Sequence, residues 1–197
     1  MVLEAIVIGL IVGFFRNGRW YNLMEIEFKG WYLIFIGAAL QIIPIAATKL
    51  TERYSLLQWT PFVGMCFILF AVLMNWKLKG FRLIAFGALL NLLVMFIYSG
   101  KMPMSLNMAN FAGLSSFAES VKAGTVINLV SLEDAGSFLK YLGKVIPIPK
   151  PYPLAKVISV GDLLISLGVG YFIQGEMVYY HFKSRSKMLK FSNKSRF

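Results

Sequence analysis

Long apolar runs, separated by short polar stretches, make up most of the chain. A helix needs about 20 apolar residues to cross a hydrocarbon core of about 30 Å, and several runs approach that length. They are Val2–Phe15, Trp31–Ala47, Ser55–Trp76, Phe81–Tyr98 and the run from Val157 to about Tyr180. The pattern predicts an all-α protein, a polytopic membrane helical bundle of about five transmembrane helices.

Composition supports a membrane protein and excludes several other classes. Hydrophobic residues make up 58% of the chain and charged residues 15%, and the mean hydropathy is +0.68, far from a soluble domain. The net charge of +11 is carried at helix ends and on the tail, so we expect anionic lipid and not nucleic acid as the partner. With one cysteine, Cys66, and one histidine, His181, we predict no metal and no cofactor.

Lysine and arginine predict the orientation, because they are retained on the cytoplasmic side of membranes. They cluster in the connections 16–30 and 77–82 and in the tail 181–197, which places the N-terminus outside and the C-terminus inside. The tail, "HFKSRSKMLKFSNKSRF", either lies on an acidic leaflet, at about 1 kcal/mol per cation, or only fixes this orientation.

An internal repeat relates two parts of the chain at an offset of 50 residues. "NLMEIEFKGWYLIFIGAALQ", residues 22–41, aligns without a gap with "VLMNWKLKGFRLIAFGALLN", residues 72–91, and nine of the twenty positions are identical. The similarity predicts a duplicated helix pair whose copies point the same way. The single membrane domain, 1–197, then divides into repeat A (about 1–50), repeat B (about 51–101), an outer loop (about 102–155), the last transmembrane helix (about 157–180) and the basic tail.

Three predicted helices carry polar residues at depths where they can meet. Gln41 and Asn91, at equivalent repeat positions, lie about 15 Å into helices that rise from the inside, which is mid-membrane. Asp162 lies near the outer end of the last helix, and a charge facing lipid would cost about 3 kcal/mol, so it should face the bundle. The predicted polar intramembrane cluster consists of Gln41, Asn91, Ser159, Asp162 and Ser166.

Two charged residues at the outer end are predicted neighbours of this cluster. Lys101 follows the fourth helix and is the expected counter-ion of Asp162, and Glu4 lies in the outer half of the first helix. In each repeat a glycine, Gly37 or Gly87, lies four residues before the amide, on the same helix face. The cluster therefore either holds closely packed helices together, at about 0.6–2 kcal/mol per hydrogen bond, or binds a solute.

The outer loop carries structural signals of its own. "SFAE", residues 116–119, and "SLED", residues 131–134, fit the capping-box pattern, and Gly124 and Gly143 suit helix ends. We predict two short helices that pack on the bundle or act as a lid over the polar intramembrane cluster. "PIPKPYP", residues 147–153, predicts an extended segment that leads to the last helix.

A short basic segment, "FRNGRW", follows the first helix. Arg16 and Arg19 could contact a phosphate or a lipid head group at the inner face. Alternatively, the segment is a tight Asn-Gly turn flanked by residues that fix the orientation.

Three stretches resemble a known family: "GLIVGFFRNGRWYNL", "LLNLLVMFIYSGKMPMS" and "YLGKVIPIPKPYPLAKVISVGDLLISLGV". They are similar to an uncharacterised family of small bacterial polytopic membrane proteins, a domain of unknown function. The resemblance implies a multi-pass protein of the bacterial cytoplasmic membrane and supplies no activity. The matching positions are Arg16, Gly18, Arg19, Asn91, Met102, Pro103, Gly161 and Asp162. Lys144 departs from the pattern, which often has an acid there.

Three functional hypotheses of different classes remain open. The favoured one is a non-catalytic scaffold or accessory subunit of a membrane complex, which contacts another membrane protein or a second copy of itself. The alternative is a small transporter or a module that binds a solute or lipid at a mid-membrane polar site. The third is a lipid-modifying enzyme with Asp162 as base and Arg16 and Arg19 as head-group contacts, although the chain lacks a nucleophile elbow and a phosphate-binding glycine loop.

Overall fold

The structure, a computed structural model, describes residues 1–46, 55–133 and 141–194, with the backbone alone for 44–46, 55–56 and 179–194. This part of the chain is mostly helical. The α-helices are α1 (Val2–Phe15), α2 (Trp31–Ala46), α3 (Thr60–Met74), α4 (Phe81–Ile97), α5 (Leu106–Phe111), α6 (Ser115–Lys122) and α7 (Val160–Lys194). Short 3₁₀ helices occupy Trp20–Leu23 and Ser55–Trp59.

The five long helices pack in the order α1, α7, α4, α3, α2. The last helix, α7, lies between α1 and α4, and α3 lies between α4 and α2. Helix α1 runs parallel to α7, with Gly9 against Gly170, whereas α4 runs antiparallel to it, with Gly80 against Gly168. One end of the bundle therefore carries the connections between α1 and α2 and between α3 and α4. The segment between α4 and α7 lies at the other end.

The lengths of the helices support the prediction of five membrane spans only in part. Among the described residues, only Leu57–Met74 is both long and apolar enough to cross a membrane, while α1, α4 and Trp31–Ile43 are apolar but shorter. The 14 residues of α1 rise about 21 Å. Helix α7 differs in the opposite sense, because its backbone continues to Lys194 through most of the predicted tail.

Glycines lie where the long helices touch. A Cβ atom on Gly37 of α2 would lie 2.5 Å from the carbonyl oxygen of Gly64 of α3, and one on Gly87 of α4 would lie 2.6 Å from that of Gly161 of α7. The backbones are therefore in direct contact at these points, as small residues allow in membrane bundles. These contacts confirm that Gly37 and Gly87 are points of close helix approach.

The two copies of the repeat share a local geometry but not the helix that precedes it. Gly30 and Gly80, directly before α2 and α4, both have positive φ, +69° and +80°. Before them, α3 runs to Met74, whereas α1 already ends at Phe15 and a turn and a 3₁₀ helix fill the distance. The duplication is therefore visible in the connection and the second helix, and the first helices are not equivalent.

The all-α prediction is wrong in one respect, because a small sheet covers one end of the bundle. Its strands are β1 (Met102–Met104), β2 (Leu129–Ser131), β3 (Lys144–Ile148) and β4 (Lys156–Ser159), in the order β2-β1-β3-β4. β1 is parallel to β2 and β3, and β3 and β4 form an antiparallel hairpin. The predicted extended segment 147–153 is the end of β3 and part of the hairpin connection, so the chain turns back here before it reaches α7.

A buried cluster holds the sheet, α5 and α6 on the end of the bundle. Val94 of α4 lies in the same cluster as Met104 of β1 and Val121 of α6, and both Val94 and Met104 are almost completely buried. Since the cluster is continuous with α4, the segment is packed on the bundle. This arrangement favours the packed loop over the lid.

Serine caps a helix in this segment, but not where the pattern predicted it. Helix α5 begins after Ser105, whose Oγ accepts a hydrogen bond from the amide of Met108 at 3.3 Å. Helix α6 begins one residue before Ser116 and has no side-chain cap, and Ser131 ends β2. The second predicted helix falls mainly on residues 134–140, which lie outside the described residues.

Candidate functional site

Asp162, the acid predicted to lie inside a membrane helix, lies in the first turn of α7. The helix begins at Val160, because β4 occupies the residues before it. The Oγ of Ser159 accepts a hydrogen bond from the amide of Asp162 at 2.9 Å, and the Asp162 Oδ2 accepts one from the amide of Ser159 at 3.2 Å. These reciprocal bonds form a capping box. The carboxylate therefore caps the first turn of α7 directly after β4, and does not lie further inside the helix as predicted.

Asn91 of α4 joins this cap to the neighbouring helix. Its Nδ2 donates to Asp162 Oδ1 at 2.9 Å, and its Oδ1 accepts from the Ser159 hydroxyl at 2.8 Å. Asn91 and Ser159 are buried, so neither group has water as an alternative partner. Gly161 makes the contact possible, because a Cβ atom there would overlap the Asn91 side chain.

The cation beside Asp162 is Lys144 of β3. Its Nζ lies 3.4 Å from Asp162 Oδ2, and the register of the hairpin pairs Lys144 with Ser159, which brings the lysine to the start of α7. Lys101, the predicted counter-ion, lies directly before β1, so the prediction is wrong and Lys144 is the counter-ion.

We call the cluster of Asn91, Lys144, Ser159 and Asp162 the polar junction.

Breaking the ion pair of the junction should cost less than breaking its cap. The two side chains are 29% and 28% exposed, and solvent-open pairs contribute about 0–1 kcal/mol. We expect Lys144→Met to lower the free energy of unfolding by less than about 1 kcal/mol. Asp162→Ala should lower it by about 1–3 kcal/mol, because α7 loses its cap and Asn91 loses an acceptor. Thermal unfolding in detergent measures both, and equal losses would contradict a junction held by its cap.

The other two residues of the predicted cluster lie apart from the junction carboxylate. Ser166, one turn further along α7, donates its hydroxyl to the carbonyl oxygen of Asp162 at 2.8 Å. Gln41 lies on α2 with its side chain against Gly64, and α3 and α4 lie between α2 and α7. The five predicted residues therefore do not form one layer.

Glu4 belongs to a second charged cluster, beside the β3–β4 hairpin. Its Oε1 accepts a hydrogen bond from Lys156, the first residue of β4, and the Lys156 Nζ lies 6.0 Å from the centre of the Tyr152 ring. Burial lowers the pKa of Lys156, but the hydrogen bond to Glu4, the contact with the N-terminus and the charge of Glu4 together outweigh this effect and leave the pKa above its ordinary value. The cluster ties the start of α1 to the hairpin.

Arg16 and Arg19 lie at the opposite end of the bundle, in a connection that is attached to α7. The Nη1 of Arg16 donates to Gln174 Oε1 at 2.8 Å, and the amide of Arg19 donates to the carbonyl oxygen of Met177 at 3.1 Å. Between them Asn17 has φ +57°, so the predicted Asn-Gly turn is present. The turn presents the Arg16 side chain at the surface beside α7.

A groove of about 510 Å³ runs along the outside of the bundle between α1 and α7. Its walls are apolar, with Ile8 and Val12 on α1 and Leu163 and Leu167 on α7. The Glu4 cluster closes the groove at the hairpin end, and Gln174, the partner of Arg16, lies at the other end. A long apolar groove with a polar group at each end suits an elongated ligand more than a compact polar one.

Sequence reasoning missed the two lysines and the capping box. "SVGD", residues 159–162, fits the capping-box pattern as residues 116–119 and 131–134 do, so a local signal is present. Lys144 and Lys156 reach their partners because β3 pairs with β4. No local sequence pattern predicts this pairing. In the part of the chain that the structure describes, no group of three or more His, Cys, Asp or Glu residues is placed to hold a metal ion.

Comparison with known proteins places the chain in a family. A family of unknown function, DUF5317, matches residues 25–174. An uncharacterized protein of Thermotoga maritima is 29% identical over 178 residues, which cover 86% of this chain and 88% of that protein. No solved structure matches. Since the matched region includes the whole polar junction and most of the chain, the protein belongs to DUF5317, an uncharacterised family.

Proposed function

We propose that this protein is an integral membrane protein that acts as a non-catalytic scaffold or accessory subunit of a membrane complex. The observation that carries the proposal is the apolar surface that α1 and α2 leave exposed at the two edges of the bundle. Leu3, Phe15 and Phe35 are 70%, 85% and 68% exposed. Soluble monomers rarely leave extended apolar surface open to water, whereas lipid or the helix of a partner would cover it.

The exposed face of α2 is the surface that best fits a partner helix. Trp31 makes edge-to-face contacts with Tyr32 and Phe35, at ring-centre distances of 6.4 and 5.8 Å, and all three rings are more than half exposed. Helix α2 packs on α3 and lies at the edge of the bundle. Rigid aromatic side chains of this kind are enriched where proteins meet partners and at membrane interfaces.

The polar junction supports a structural role for Asp162. Both carboxylate oxygens already accept hydrogen bonds from Asn91 and from the amide of Ser159. A transporter site formed by Gln41, Asn91 and Asp162 is not supported, because Gln41 lies on a distant helix. A lipid-modifying enzyme would need Asp162 as a base, with a lone pair directed at the substrate. In the structure both carboxylate oxygens accept hydrogen bonds from protein groups instead.

In the proposed orientation the sheet lies outside the bacterial cytoplasmic membrane and the Arg16 turn lies at the inner face. The charge pattern supports it, because the connections that hold Arg16 and Lys79 meet at the end of the bundle opposite the sheet. The partners are membrane lipids, with anionic head groups at the basic tail, and a second membrane protein or a second copy of the chain.

Extraction and purification of the full chain test this proposal. We expect the protein to stay with the membranes in high salt and alkaline carbonate, because apolar burial and not surface charge holds it, and to need detergent for release. After release in a mild detergent, we expect it to elute with a second membrane protein or a second copy in a fixed ratio.

Two outcomes would contradict the proposal. Recovery of the chain in the soluble fraction would exclude an integral membrane protein. Elution as a lone monomer, together with the absence of any crosslinked product in intact membranes, would exclude the scaffold. Phe35→Ala serves as a variant of the α2 face and should weaken the association, whereas Leu93→Ala, on an exposed position of α4, should leave it unchanged.

A further inference from the structure

The groove between α1 and α7 has the shape of a site for an acyl chain. From Leu163 to Gln174 its wall on α7 spans three helical turns, about 16 Å, and its volume of about 510 Å³ lies within the range of about 300–1,000 Å³ for small-molecule sites. Ile8 and Leu167 face it from opposite walls and are 59% and 56% exposed. The groove is therefore long, apolar and open along its side.

The two ends of the groove differ in whether their cations have a carboxylate partner. At the hairpin end the carboxylate of Glu4 forms salt bridges with both Lys156 and the N-terminal ammonium. At the other end Arg16 donates one hydrogen bond to a neutral amide, Gln174, and no carboxylate within the described residues forms a salt bridge with it. A guanidinium group has five N–H donors and matches the geometry of phosphate, so this end complements an anionic head group.

We propose that the groove binds an anionic phospholipid, with one acyl chain between α1 and α7 and the phosphate at Arg16. This inference rests on the proposed membrane location. It assigns the head group to the end of the bundle that carries most of the basic residues, and therefore to the inner leaflet in the proposed orientation. The lipid would cover apolar surface of α1 and α7 that the bundle leaves open.

Lipid retention by the purified full chain tests the inference. The delipidated protein in mild detergent is mixed with phosphatidylglycerol or with phosphatidylcholine of identical acyl chains, and native mass spectrometry counts the lipids that each molecule retains. We expect a preference of about tenfold for the first phosphatidylglycerol, because the choline cation of phosphatidylcholine offsets the negative charge of the phosphate that would contact Arg16. Arg16→Gln should reduce the preference to about one, whereas Arg82→Gln, which removes an exposed arginine over Trp76, should keep it.

A second pair of variants tests the acyl-chain part of the groove. Ile8→Trp fills the groove and should lower the retention of both lipids, whereas Val7→Trp, at a similarly exposed position of α1 outside the groove, should not. If Ile8→Trp is not recovered folded, Leu167→Trp on the opposite wall replaces it.

Three outcomes would overturn the inference: equal retention of the two lipids, equal effects of Ile8→Trp and Val7→Trp, or loss of the preference in Arg82→Gln. Each of these can occur in a protein that is fully membrane-bound, so they differ from the outcomes that contradict the proposed function.

Discussion

Gly80→Ala is expected to lower the free energy of unfolding by about 2–4 kcal/mol, since two independent costs add. The residue has φ +80°, where an alanine costs about 1–2 kcal/mol. A Cβ atom would also overlap the carbonyl oxygen of Gly168, which cannot move without shifting the backbone of α7. Thermal unfolding in detergent measures the loss, at about 2–4 °C per kcal/mol for a chain of this size.

The repeat supplies a matched control for this substitution. Gly30 is the equivalent residue and has φ +69°, but its nearest neighbours are the ends of the Met74 and Leu33 side chains, at 3.1 and 3.2 Å. Flexible side chains can give way, so Gly30→Ala should cost only the conformational part, about 1–2 kcal/mol. Equal losses for the two substitutions would show that close packing of α4 on α7 is not the cause.

Asn91→Leu should be similarly damaging, with a loss of about 2–4 kcal/mol, because it removes both bonds that join α4 to the capping box. The buried hydroxyl of Ser159 is left without an acceptor, and the leucine occupies the space beside Gly161. Asn91→Ala removes the same bonds without added volume and should retain most of the loss. If Asn91→Ala does not lower the free energy of unfolding, the loss in Asn91→Leu comes from the bulk of leucine and not from the missing hydrogen bonds.

Gln41 provides the comparison from the other copy of the repeat. It occupies the position equivalent to Asn91 but packs beside Gly64, far from the junction. Gln41→Leu should therefore change the free energy of unfolding by less than about 0.5 kcal/mol. A loss as large as that of Asn91→Leu would mean that both amides contribute alike, and would remove the special role assigned to the junction.

Sequence patterns predicted the long helices because each one is a local feature. The apolar runs fix α1 and α4 to within a residue of their observed ends, and Pro61 marks the start of α3 because proline suits a first helical turn. The fifth helix was placed three residues too early, since an apolar run of the type "KVIS" does not distinguish a buried strand from a helix.

The site was predicted less well, because one of its residues depends on a contact between distant segments. Depth along the predicted helices placed Asn91 and Asp162 in one cluster, and the two side chains form a hydrogen bond in the structure. Lys144 was not found, because it reaches Asp162 only through the register of a hairpin, and strands of three to five residues carry little local signal. The symmetry of the repeat predicts that Gln41 belongs to the cluster, but α2 and α4 have different neighbours in the bundle.

The contact between α1 and α7 also has a consequence for biosynthesis. The ribosome makes α1 first and α7 last, and chains fold from the N-terminal side during synthesis. Gly9 lies against Gly170 in the finished protein, and among the described helices α1 packs mainly on α7, so its main neighbour is made only after α2 to α6. A nascent chain that stalls before α7 therefore lacks the helix against which α1 packs, and α1 is left with an uncovered face.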